Sequence, residues 1–114
     1  MIPEKRNYRR FKLREGALVG SLEDRAETVD VVDLSVGGAA LRTDMRFSVG
    51  SECAIRFEIP EGSIDVTGIV VRSRMIGTGE VFRGERGPVF SAAMHFREGS
   101  EDQIADFICC AMLA

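Results

Sequence analysis

The sequence predicts a mainly β fold, a six-stranded antiparallel β-barrel with a C-terminal α-helix. Three observations lead there. Six short apolar or alternating segments recur at regular intervals, with Gly-, Ser- or Pro-containing turns between them, the spacing expected of a closed antiparallel sheet. The longest segment, 64–75, is interrupted by Gly68, which suggests a bulge or the bend a small barrel needs to close. After the last segment comes a single stretch of helical period.

Taken in order, residues 1–11 read as a basic arm, because Pro3 and dense charge discourage regular structure and only Tyr8 and Phe11 offer apolar anchors. Residues 12–114 form the domain. A first strand is expected over 12–19, closed by a turn at Gly20-Ser21, and a second over 27–34. A short third strand, 39–43, follows the Gly37-Gly38 turn. The fourth, 53–59, alternates cleanly, with Cys53, Ile55, Phe57 and Ile59 on one face and Ala54, Arg56 and Glu58 on the other. The fifth is 64–75. Gly77, Gly79, Gly84 and Gly87 then mark a flexible hairpin tip over 77–88, and the sixth strand is 89–96. Ser100 opens a helix of about 100–113, with Gln103 as capping-box partner and Ile104, Phe107, Ile108, Ala111 and Met112 as one apolar stripe.

Composition narrows the function. The net charge of −3 is unevenly spread: residues 1–15 hold six basic groups (Lys5, Arg6, Arg9, Arg10, Lys12, Arg14) against Glu4 and Glu15, a balance of +4, which leaves −7 for the rest. A basic arm before an acidic body attracts an anion locally but disfavours broad contact with a nucleic-acid polymer. No apolar run approaches the roughly 20 residues that span a bilayer, and the first residues lack the apolar core of a secretory signal. No membrane insertion and a cytoplasmic location are therefore expected. Cys53, Cys109 and Cys110 have no metal-binding spacing, and adjacent helical residues cannot face one metal, so all three read as reduced, mostly packed thiols. Neither a nucleophile-base arrangement nor a phosphate loop can be assembled, so no enzyme, metal or cofactor is expected.

Chemistry gathers instead at Asp33-Leu34-Ser35-Val36-Gly37-Gly38. Residues two apart on a strand share a face, so Asp33 and Ser35 are expected side by side. Gly37-Gly38 permits positive φ, a tight turn and close approach by a flat ligand. A carboxylate can accept the N1–H and N2–H of guanine, and an arginine fork matches a phosphate or guanine O6/N7. The arm supplies the arginines.

Arg-x-x-x-Arg, as Arg6 to Arg10, followed by Asp-x-Ser-x-x-Gly, as Asp33, Ser35 and Gly38, resembles the two-part signature of the PilZ domain. The likeness extends from Glu4 to about Ala111. Before Arg6 stands Lys5, where many members have arginine; lysine meets phosphate as a point charge rather than as a fork. The resemblance implies a receptor for the bacterial second messenger cyclic di-GMP. Arg6 and Arg10 would grip it, Asp33 would bind a guanine edge, Ser35 guanine or phosphate, and Gly38 would leave room for a base. Secondary candidates are Lys5, Arg9 and Gly37, with Arg72 and His95 expected to face outward on the later strands. Ligand binding is expected to order the arm and so signal to a downstream protein partner; the oligomeric state, homodimer included, is left open. Two other readings are a ligand-independent adaptor with the same barrel and a small barrel that binds RNA or DNA through its arm.

Overall fold

A computed structural model of the chain describes residues 9–14, 17–22, 27–60, 62–80 and 86–112. Seven strands and one helix follow one another: β1 (Phe11–Lys12), β2 (Val19–Leu22), β3 (Glu27–Leu34), β4 (Gly38–Thr43), β5 (Glu52–Ile59), β6 (Gly62–Glu80), β7 (Arg86–Phe96) and α1 (Glu101–Met112). Six of them close an antiparallel barrel in the order β3-β2-β5-β6-β7-β4, with β4 pairing back onto β3. The predicted barrel with a C-terminal helix is therefore the fold observed.

The start of the barrel differs from the expected strand over 12–19. β1 and β2 are separate strands on one edge of β3, pairing Lys12 with Asp33 and Val19 with Asp30. Between them the chain leaves and rejoins β3: the Leu13 N–H donates to Val32 O and the Val31 N–H to Leu18 O, while Ala17 N–H turns back onto Arg14 O. Gly20-Ser21 is no turn but lies inside β2, where Gly20 opposes both Val29 and Phe57. A Cβ on Gly20 would stand 3.0–3.1 Å from the side chains of Ile55 and Phe57, so this glycine serves close packing. Residues 23–26 of the expected polar connection lie outside the described residues.

β5 alternates as its sequence requires, burying Cys53, Ile55 and Phe57 and exposing Arg56 and Glu58. Phe57 meets Phe96 of β7 edge-on (centroids 6.3 Å apart) and Phe107 of α1 (6.1 Å), and so joins barrel interior to helix. Ile104, Phe107 and Ile108 are buried on the barrel, and Ala111 packs against the same cluster. Each such side chain contributes about 1.5–3 kcal/mol by leaving water, which is what docks the helix. The helix start departs from a capping box. The Ser100 hydroxyl donates to Arg97 O, and the carboxylate of Glu101, not Gln103, accepts the Gly99 N–H. Cys53 is packed, but Cys109 and Cys110 are exposed on α1, contrary to the expectation of mostly packed thiols. No helix among the described residues is long and apolar enough to cross a membrane.

β6 is longer than expected, continuing through Gly77 and Gly79 to Glu80, and β7 begins at Arg86; Val81 and Phe82 lie outside the described residues. Its register shifts fall between Val70 and Arg72 and between Met75 and Gly77, not at Gly68. Gly68 is paired on both sides, with Cys53 and Phe96, and a Cβ there would lie 2.4 Å from the backbone oxygen of His95. The glycine thus lets β6 and β7 approach. Gly68→Ala is expected to destabilise the fold by at least ~2 kcal/mol, roughly 8 °C in Tm, in thermal unfolding followed by circular dichroism. Gly62→Ala, with nothing within 4 Å of its Cβ position, should leave Tm unchanged.

Candidate functional site

The corner at the end of β3 is built by backbone first. After Leu34, which is buried, the Ser35 N–H donates to Gly38 O at 2.9 Å, and the Phe96 N–H donates to Gly37 O, fastening the turn to the end of β7. Ser35 is itself buried; its hydroxyl donates to Gly38 O (3.4 Å) and accepts the Gly37 N–H (3.2 Å). This is the behaviour of a turn-forming serine. Ser35, just past the last residue of β3, thus engages its hydroxyl within the turn.

Positive φ is not what the glycines provide, since the left-handed glycines among the described residues are Gly50, Gly77 and Gly99. Gly38 begins β4 opposite His95. A Cβ on it would lie 2.4 Å from Met94 O, so the absence of a side chain is what allows β4 to meet β7.

Asp33, the penultimate residue of β3, lies between Lys12 of β1 and Ala40 of β4. Its Oδ1 accepts from Arg10 Nη1 at 2.8 Å, the arginine side chain 61% exposed and the aspartate 17%. This contact joins the two halves of the motif across 23 residues of sequence. Phe11, packed against the core, fixes the end of the arm, and the Arg9 guanidinium lies over its ring, 5.1 Å from the centroid. Lys5 and Arg6 lie outside the described residues.

Strand register then places the remaining candidates on the outer face. One row runs Asp33, Ala40, Ala93, Arg72 across β3, β4, β7 and β6; the next runs Gly38, His95, Ile69. Arg72 and His95 are both exposed, as expected. At about 4.8 Å per strand, Arg72 is roughly 14 Å from Asp33 along its row. Ala40, Ala93 and Gly38 form a low floor between a side carrying Arg10 and Asp33 and a side carrying His95 and Arg72. The arrangement offers a carboxylate acceptor and cationic donors around a low surface, suited to an anionic ligand with planar groups. Among the described residues no cluster of three His, Cys, Asp or Glu could hold a metal ion.

Sequence reading did not single out Lys12 as a neighbour of the site, because its place opposite Asp33 follows from the β1–β3 register. It also overlooked the row Asp30, Arg42, Ser91, Arg74, in which Asp30 is only 2% exposed. Nothing in a one-dimensional pattern marks a charged residue buried on the outer side of a strand.

Because Arg10 is so exposed, its pair with Asp33 is expected to contribute no more than about 1 kcal/mol to folding. Arg10→Ala should leave Tm within a few degrees of the parent, whereas Ser35→Ala, which strips the turn of both hydroxyl bonds, should cost about 1–2 kcal/mol; differential scanning calorimetry measures both.

The family model for the PilZ domain matches residues 4–112. No curated protein matches the sequence. Among solved structures, the chain is similar to the PilZ domain of YcgR from Escherichia coli with c-di-GMP (TM-score 0.65, 15% identity, covering 95% of this chain and 92% of that one). It is also similar to the MrkH–c-di-GMP complex of K. pneumonia (TM-score 0.67, 19% identity, 98% and 54%). A third similar structure is the Bacillus subtilis inhibitor of motility, MotI/DgrA (TM-score 0.62, 15% identity, 97% and 52%). The chain thus spans nearly all of the YcgR domain and about half of the other two.

Proposed function

Since the chain belongs to the PilZ domain family, we propose that it is a receptor for cyclic di-GMP that signals through its N-terminal arm. The observation that carries this reading is the Arg10–Asp33 contact, which holds the two halves of the motif together at the edge of the low floor on the outer face. Arg10 engages Asp33 through Nη1, and a guanidinium has five N–H donors, so capacity remains for a phosphate. Asp33 accepts through Oδ1 and can take a guanine edge on its remaining lone pairs.

In this mechanism Arg6 joins Arg10 on the ligand's phosphates and bases, and Asp33 holds one guanine. Ser35 and Gly37 keep the corner in shape, with the Ser35 hydroxyl turning to the ligand if the turn opens, and Gly38 keeps the floor low. Arg9, Lys5, His95 and Arg72 line the periphery. Gripping the ligand fixes the arm across the barrel, and the two arm states differ in the surface they offer a downstream partner. Such a receptor works in the cytoplasm and needs no catalysis.

Isothermal titration with cyclic di-GMP, cyclic di-AMP and GTP tests the reading. Saturable heat is expected for cyclic di-GMP alone. Arg10→Ala and Asp33→Ala should each weaken binding roughly 10- to 100-fold, the loss of one charge-assisted hydrogen bond at about 1.5–3 kcal/mol. Absence of heat at high micromolar ligand would overturn the reading.

A further inference from the structure

Two features at opposite ends of β6 take no part in the site. At its last residues, β6 and β7 run on together after their neighbours have stopped. β5 pairs with β6 only as far as Ile69, and β4 with β7 only as far as Phe90, opposite Thr43. The Phe47 N–H donates to the Ser73 hydroxyl, and β4 still pairs with β7 at Ser91 and Phe90, opposite Arg74 and Met75; beyond these, among the described residues, β6 and β7 pair only with each other. This ribbon exposes Met75 (50%) and Ile76 (54%), with Arg74 and Arg86 also exposed. Over residues 74–86 the sequence holds three arginines against two glutamates.

Both open edges are poor templates for an added strand. The register of β6 shifts between Met75 and Gly77, and Pro88 on β7 has no N–H to offer. What the ribbon presents is therefore its side chains, an apolar pair among cations.

At its first residues β6 borders a shallow groove of about 230 Å³, lined by Ile59, Gly62, Ser63 and Ile64 together with Gln103, Asp106, Phe107 and Cys110. It is smaller than the roughly 300–1,000 Å³ of small-molecule sites and suits one or two aliphatic side chains. Its surroundings are acidic: residues 98–112 carry Glu98, Glu101, Asp102 and Asp106 and no basic residue, and Glu58 is exposed nearby on β5.

We propose that the ribbon of one copy docks head to tail in the helix groove of a second, with Ile76 and Met75 entering the groove and Arg74 and Arg86 facing its carboxylates. Each surface is partly apolar, and the charges around the two are opposite. Because they are different surfaces, the contact is heterologous and leaves an unused ribbon at one end and an unused groove at the other. Its small area makes it a weak association that weakens further with salt. It does not depend on the nucleotide reading.

Sedimentation velocity over a concentration series tests it, using the whole chain at low salt. The parent should show a sedimentation coefficient that rises with concentration. Ile76→Asp, which disables the ribbon, and Asp106→Arg, which disables the groove rim, should each stay monomeric. Both positions are exposed, and an unchanged circular dichroism spectrum checks their folding. Mixed together, the two variants should form a 1:1 pair that grows no further, since one retains its groove and the other its ribbon. A parent that stays monomeric up to millimolar concentration, association that survives Ile76→Asp, or a mixture that remains monomeric would each overturn the proposal.

Discussion

Closure of the barrel rests on the approach of β4 to β7. The strand that completes the ring must enter beside Met94 and His95 at a separation where the space for a Cβ is already occupied by a backbone oxygen, and Gly38 is the residue that allows it. The same approach brings Gly37 O to the Phe96 N–H, so the turn after β3 is fastened to the far end of the sheet. Asp33, two residues ahead of that turn, inherits its position from this closure. A residue that reads in sequence as space for a ligand is, in the structure, a condition of the sheet closing at all.

The corner thus divides into a fixed part and an adjustable part. Ser35, Gly37 and Gly38 are bound up in backbone hydrogen bonds and strand contacts. Arg10 is largely exposed and touches Asp33 through a single pair of atoms. For the proposed ligand, preorganising the acceptor while leaving the cation adjustable would lower the ordering cost on the barrel side and keep it on the arm side. Family resemblance names Arg10, Asp33, Ser35 and Gly38 alike, but their mechanical situations differ.

Much of the fold was legible from sequence because its signals are local. Alternation located β5, an i, i+3, i+4 stripe located α1, and Asp33 and Gly38 were placed correctly at the β3–β4 corner. What escaped was non-local. Gly20 and Gly68 look like punctuation, yet each sits mid-strand where another element comes close. The division of the first strand into β1 and β2 depends on the separate bonds of Leu13 and Leu18 to β3, and no local pattern shows it. The Ser35 hydroxyl could be read as a ligand or as part of a turn, and only its actual distances to Gly37 and Gly38 place it in the turn. Alternation places Arg72 and His95 outward, but their rows with Asp33 and Gly38 follow from register across strands far apart in sequence.

β1 spans only Phe11 and Lys12, and it is the seam between arm and barrel. Detaching it forfeits a few backbone bonds and the contact of one partly buried ring, while the six-strand ring stays closed. In native-state terms such a seam belongs to the low end of the ladder of opening free energies, well below global unfolding. Arg10, one residue ahead of β1, travels with it. The effective concentration of arginine at Asp33 is thereby set by how often a two-residue strand is zipped, so substitutions at Phe11 or Lys12 can retune the corner without altering any residue of the motif itself.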